Sequence, residues 1–342
     1  MRFRTGVCFD DVLLVPRYSE VTSRAHPDLS VEFPEVGKLS LPIIASPMDT
    51  ITETSMADAL VRAGGLGVVH RYNTEAEQVA LVSDTDRPSL VGAALGVTGD
   101  YHIRACALFE AGVRLLCLDI AHGHHRLMKE ALFNLREIFG YNVHLMAGNV
   151  ATLEGFNALA DWGADSIRVG IGGGSICTTR LQTGHGVPTL QSVLDCAGSD
   201  RDALLIADGG IRTSGDIVKA LAAGADAVML GSLLSGTTQT PGKVRIDSSG
   251  NKFKSYRGMA SRSAQVEWRG SSSTPEGVAT LVPFRGCVSE VLRDVEGGIR
   301  SGLSYSGANS LEELRTKATF IKQTSSGRHE SSAHVLSGNE DV

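Results

Sequence analysis

The chain has 342 residues, 42% of them hydrophobic and 20% charged, which is enough apolar material for a large core. Its formal net charge of -6 argues against a nucleic-acid or anionic-membrane partner. Any bound phosphate is therefore expected on backbone amides, not on a basic patch.

The first residues, "MRFRTGVCFDDVLLVP", contain neither a sustained apolar segment nor a small-residue cleavage site, and no run of about 18 apolar residues follows to suggest a membrane span. Six cysteines (Cys8, Cys106, Cys117, Cys177, Cys196 and Cys287) form no CxxC or CxxH pair, so neither a zinc site nor a disulfide framework is indicated. The expected compartment is the cytoplasm.

Eight short apolar runs rich in β-branched residues read as strands: "LPIIAS" from Leu41, "LGVVH" from Leu66, "LVGAAL" from Leu90, "LLCLD" from Leu115, "VHLMAGN" from Val143, "SIRVG" from Ser166, "LLIADGG" from Leu204 and "AVMLGS" from Ala227. Helix-patterned stretches lie between most of them, among them "MADALVRAGG", "RACALFEAGV", "LEGFNALADWGA" and "SGDIVKALAAGA", each closing on glycine. This alternation predicts an α/β fold, a (β/α)8 TIM barrel forming one catalytic domain over residues 1–342. Chemistry in such barrels sits at the C-terminal strand ends, where Asp49, Asp119, Asn149, Cys177, Asp208 and Ser232 fall.

Two segments stand outside the alternation. Residues 243–285 are polar and rich in Gly, Ser and Arg, with hairpin and loop signals but no long period, and read as an active-site flap after the last strand. The C-terminal stretch 325–342 reads as a flexible tail.

"GGGSICTTRLQTGHGVPTLQ", residues 172–191, sets a thiol in a glycine-rich loop. Consecutive glycines let the backbone approach a ligand closely and aim several N–H groups at a phosphate. Cys106, Cys117 and Cys196 sit in apolar or helical runs and read as buried small hydrophobes. Cys177, surrounded by Gly, Ser and Thr, reads as an exposed nucleophile. A hydroxyl two residues on, at Thr179, can position a water or leaving group when a carboxylate relays the proton, and Glu276 of "TPEGVAT" is the candidate.

The strings "FDDVLLVP", "SPMDTITE", "AGNVAT", "GGGSICTTR", "IADGGIRTSGDIVKALAAGADAVMLGS" and "YRGM" resemble the inosine monophosphate dehydrogenase and GMP reductase family, from about Phe9 to His334. The resemblance implies a tetrameric barrel acting on C2 of a purine mononucleotide through a covalent cysteine thioimidate. It carries Cys177 over as nucleophile and Thr179 with Glu276 as proton relay. It makes Ser175, Gly210, Gly231 and Ser232 the phosphate cradle and Asp208 the ligand of the ribose hydroxyls. Ser46, Met48 and Asn149 would line the pocket, with Tyr256, Gly258 and Met259 closing over it. Asp119, Trp268 and Arg269 would serve the dinucleotide. A monovalent cation such as K+ at the backbone of Gly172, Gly174 and Cys177 is the one metal site considered.

Dehydrogenases of this family usually carry an inserted pair of CBS modules after the second strand, whereas here only about twenty residues separate "VVHRYN" from "LVGAAL". Their flap supplies an Arg-Tyr pair for water activation, but the stretch from Met259 to Glu276 has none, and its "EWRG" resembles the "EYR" of GMP reductases. "TITETSMA", "AHGH", "GSLLSGT" and "GRHESSAH" resemble the dehydrogenase branch instead. The favoured expectation is NADPH-dependent reductive deamination of GMP, or of a modified guanine nucleotide such as a 7-deazapurine, to IMP and ammonia. The alternatives are an NAD-dependent IMP dehydrogenase using Arg269 or His185 as base, and a non-catalytic purine-nucleotide-binding protein.

Overall fold

A computed structural model describes residues 3–331. Eight parallel strands close into a barrel: β1 (Ile43–Ala45), β2 (Leu66–Val69), β3 (Gly92–Leu95), β4 (Leu115–Asp119), β5 (His144–Val150), β6 (Ser166–Val169), β7 (Leu204–Asp208) and β8 (Ala227–Leu230). Each pairs with the next, and Val228 of β8 meets Ile43 of β1 to complete the ring. All eight lie within the apolar runs read from the sequence, apart from one extra residue at the end of β5. The four quoted helical patterns form helices that stop just before Gly64, Gly112, Gly163 and Gly224, each at positive φ.

Strand alternation divides the core in two. Ile44, Val68, Ala94, Cys117, Met146, Ile206 and Met229 fill the barrel interior, plugged from the N-terminal end by Phe33, Val36 and Leu39 of an N-terminal hairpin. The outward residues, such as Ile43, Leu116, Ile167 and Val228, meet the helices.

Residues 70–91 between β2 and β3 hold a helix, Glu75–Ser83, and one 3-10 turn, leaving no room for an inserted module at that place. The flap is more ordered than its polar sequence suggests. It forms an antiparallel sheet of Arg245–Ile246, Lys252–Arg257 and Ala279–Pro283, and a helix, Arg262–Arg269. That helix escapes a periodicity reading because it is short and buries only Ala264; Ser261 starts it by accepting the Ala264 N–H at 3.3 Å. Buried Lys254 roots the flap, its Nζ donating to the Thr237 carbonyl at 3.1 Å.

The expected flexible tail begins instead with a helix, Ser325–Glu330, whose Arg328 donates to Asp10 at 2.6 Å. The remainder of the tail, including the end of "GRHESSAH", lies outside the described residues. Among the described residues no helix is long and apolar enough to cross a membrane.

His144 at the start of β5 is fully buried. Its Nδ1–H donates to the Pro34 carbonyl at 3.1 Å, so Nε2 is the acceptor for the Ser166 hydroxyl at 2.7 Å. Burial pushes its pKa down to about 4. The folded state therefore binds this proton more weakly than the unfolded chain, and the stability present above pH 6.5 is lost as pH falls toward 4. Melting temperatures of the wild type should drop more steeply across that window than those of His144→Gln; parallel pH profiles would contradict the assignment.

Candidate active site

The cysteine loop leaves β6 and is closed on itself. Arg180 donates to the Val187 carbonyl at 2.8 Å, and its stem runs so close to Gly172 and Gly186 that a Cβ at either would lie 2.7 Å from its Cγ. The Cys177 N–H donates to the Gly174 carbonyl at 3.1 Å, so one of the groups considered for a monovalent cation already accepts a turn hydrogen bond.

The flap pairs with this loop through backbone. The Thr178 N–H donates to the Glu276 carbonyl at 2.8 Å, and the Val278 N–H to the Ile176 carbonyl at 3.0 Å. Cys177 Sγ consequently donates to Thr179 Oγ1 at 3.2 Å, and the Thr179 hydroxyl donates to Glu276 Oε2 at 2.7 Å. Thiol, hydroxyl and carboxylate form one chain across 97 residues of sequence. Contrary to the expectation of an exposed thiol, Cys177 is half-buried under the flap. The other thiols behave differently: burial pushes Cys117 up to about 11 and Cys196 up to about 12, so both stay protonated and inert, while Cys106 is only half-buried.

The residues assigned to the mononucleotide converge around Gly231. A Cβ there would lie 3.1 Å from Tyr256 Oη, 3.3 Å from Met48 Sδ and 3.6 Å from Ser46 Oγ. Burial raises the Tyr256 pKa, against hydrogen bonds from Ser175 and Ser232. Gly210, at φ +77°, backs onto the Gly173 carbonyl, which a Cβ would approach to 3.1 Å. Gly258 packs on the cysteine loop, and Met259 Sδ accepts the Asp49 N–H at 3.4 Å. Asp49 itself anchors the flap, accepting from Arg257 Nε at 2.9 Å.

Sequence reasoning missed Arg168, although a lone cation inside the apolar run "SIRVG" was the available signal. Its guanidinium lies between two of the predicted site carboxylates, donating to Asp119 at 2.7 Å and to Asp208 at 2.9 Å. Asn149 Nδ2 donates to the same Asp208 oxygen at 2.8 Å and to the Gly170 carbonyl at 2.9 Å. Burial opposes ionisation of Asp119, but Arg168 and Arg71 outweigh it and hold the carboxyl below its usual range.

The dinucleotide residues are less unified. Asp119 is engaged by Arg168 and by Arg71, whose guanidinium stacks 4.9 Å from the Tyr72 ring centroid. Tyr72 meets Trp268 edge-on at 6.0 Å, beside a cavity of about 780 Å³ lined by Asp49, His70, Tyr72, Met259, Glu267 and Trp268. Arg269 is exposed at the end of the flap helix, and its charge acts on Tyr72, the ring that Trp268 meets. Asn73 Nδ2 is buried without a hydrogen-bond partner on this wall, which suits it to a polar ligand such as the ribose or carboxamide of a nicotinamide dinucleotide.

Removing the shared cation should be costly, because it leaves two carboxylates facing each other inside the barrel mouth. Arg168→Met is expected to destabilise the fold by about 3–5 kcal/mol in urea denaturation. A loss below about 1 kcal/mol would show that Asp119 and Asp208 do not depend on it.

A family model described as "IMP dehydrogenase / GMP reductase domain" matches residues 6–334. Inosine-5'-monophosphate dehydrogenase of Nitrosopumilus maritimus is 34% identical, over 98% of this chain and 99% of the relative. The Bacillus subtilis protein of the same name is also 34% identical, over 97% and 96%. These alignments run over 473 and 470 positions, so both relatives carry long stretches that this chain lacks. Among solved structures, a variant of GMP reductase from Trypanosoma brucei in complex with guanosine 5'-monophosphate superposes with a TM-score of 0.92 at 32% identity, covering 98% of this chain and 99% of that one. With its closed barrel, its thiol loop and a match along nearly its whole length, the chain belongs to the IMP dehydrogenase / GMP reductase family of oxidoreductases.

Proposed function

We propose that the protein reductively deaminates GMP, or a closely related guanine nucleotide, to IMP and ammonia with NADPH, on a single catalytic domain without CBS modules that assembles as a tetramer. The observation that carries this reading is the hydrogen-bonded chain Cys177–Thr179–Glu276 under a flap whose stretch from Met259 to Glu276 offers no Arg-Tyr pair to activate water. The likeness to a GMP reductase holding GMP supports it. The dehydrogenase reading is favoured by the names of the curated relatives. It would need another base, yet Arg269 is exposed and His185 is exposed with Nδ1 turned to the Thr183 carbonyl at 2.8 Å.

In this mechanism the phosphate rests on Ser175, Gly210, Gly231 and Ser232, and Asp208 accepts from the ribose. Cys177 Sγ attacks C2 as its proton passes to Thr179 and Glu276. The C2–S bond forms, the bond to the exocyclic amine breaks, and the relay delivers the proton to the departing nitrogen, giving ammonia. Asp119 and Trp268 would hold a reduced nicotinamide, which when bound would supply the hydride that C2 receives. Cys177 then leaves as thiolate and regains a proton through the same chain.

The test is a coupled assay of GMP with NADPH, reading cofactor oxidation and ammonia together. One ammonia per NADPH is expected, and Glu276→Gln should slow ammonia release by about 10²–10⁴-fold, since the amide still accepts from Thr179 but carries no transferable proton. No NADPH consumption with GMP, or a variant as fast as the wild type, contradicts the proposal.

A further inference from the structure

Arg104, in the helix Tyr101–Glu110 that follows β3, has no part in the chemistry above, yet its guanidinium gathers four acceptors. Its Nη2 donates to the Asn73 carbonyl at 2.9 Å. Its Nη1 faces Gln78 Oε1 at 3.0 Å, the Arg71 carbonyl at 3.3 Å and Asn73 Oδ1 at 3.4 Å. Three of these acceptors belong to the loop 70–73, which leaves β2 at the same barrel end as the thiol. The other is the anchor: Gln78 is wholly buried, and its Nε2 donates to the Ala94 carbonyl of β3 at 2.9 Å. Arg104 therefore ties the loop to the barrel wall.

The contents of the loop give that tie its consequence. With the Arg71 and Asn73 carbonyls held by Arg104, the Arg71 side chain reaches Asp119, its Nη2 donating to the Asp119 carbonyl at 3.1 Å and its Nε lying 3.7 Å from Oδ2. Arginine only donates, so the Asn73 atom that faces Arg104 is the oxygen, and Nδ2 is left as a buried donor without a partner. Tyr72 and Asn73 line the cavity of about 780 Å³ under the flap helix, whereas Arg104 stands behind the loop and is not part of that lining. The Tyr72 N–H also donates to His70 Nδ1 at 3.2 Å, so His70 Nε2 carries the hydrogen and donates to Glu53 at 3.2 Å. A planar fork with five donors can serve four acceptors at once, which an ammonium with three donors on a flexible stem cannot.

We propose that Arg104 is a positioning residue for dinucleotide binding: it sets the loop after β2 so that Arg71 engages Asp119 and Asn73 presents its free amide N–H to the cavity. The inference rests on the proposed function only in the use of a nicotinamide dinucleotide.

The experiment compares the full chain with its Arg104→Met and Arg104→Lys variants. Each is also made with Cys177→Ala, which stops turnover and lets NADPH binding to the GMP complex be read from nicotinamide fluorescence. Arg104→Met should weaken NADPH binding about tenfold or more, the loss of at least one hydrogen bond from a charged donor, and should raise the NADPH KM more than it lowers kcat. GMP affinity, measured by calorimetry without dinucleotide, should be unchanged. Arg104→Lys keeps the charge, loses the fork and should lie between wild type and Arg104→Met; it carries the test alone if the methionine variant does not fold. NADPH affinity equal to wild type in either variant would show that the loop does not need Arg104, and GMP and NADPH affinities falling together would show that it merely holds the fold; each overturns the proposal. An enzyme that oxidised IMP and left GMP untouched would sink the reductase reading alone, and the same loss of affinity is then expected for the oxidised dinucleotide on the IMP complex.

Discussion

Two backbone hydrogen bonds, Thr178 N–H to the Glu276 carbonyl and Val278 N–H to the Ile176 carbonyl, fix the flap to the cysteine loop, and the chemistry depends on them. Neither segment holds the full relay: the loop carries the thiol and hydroxyl, the flap the carboxylate. Close approach requires Gly277, where a Cβ would lie 3.3 Å from the Ile176 carbonyl oxygen and 3.4 Å from the Ser261 nitrogen. Other ties support the pairing, with Arg257 on Asp49 and Lys254 on the Thr237 carbonyl holding the flap sheet over the barrel mouth. A hydrogen-bonded chain assembled by backbone pairing exists only while the flap is seated, and in the proposed mechanism this would couple closure to proton transfer.

Beneath the flap, the barrel mouth is organised by charge. Arg168 ties the ends of β4 and β7 through Asp119 and Asp208, and Asn149 at the end of β5 joins the same oxygen. The residue proposed to face the ribose of the mononucleotide and the one proposed to face the dinucleotide therefore share one buried cation. Such an arrangement fixes the distance between the two ligands, and proximity of this kind is what hydride transfer demands.

The barrel was legible because its signals are local. Strand runs such as "LLCLD" and "AVMLGS" alternate with helices that end at glycine, and eight repetitions leave few other folds. Cys177 and Thr179 stood out for the same reason, as a thiol and hydroxyl in a glycine-rich loop. Glu276 was a candidate from spacing alone, since nothing in the intervening sequence encodes its approach to Thr179, 97 positions away. Arg168 was hidden because a strand pattern is scored on its apolar members, and the flap helix because its one buried residue, Ala264, gives no period. The order in Ser325–Glu330 depends on a distant partner, Asp10, which a polar tail does not announce.

The central claim is that this relay protonates a departing amine and is not equipped to activate water. The most direct measurement gives the enzyme IMP with an oxidised nicotinamide cofactor and follows reduced cofactor and XMP over many turnovers. The account predicts at most a stoichiometric burst of reduced cofactor, with the nucleotide persisting as an adduct on Cys177. Sustained production of XMP would contradict it.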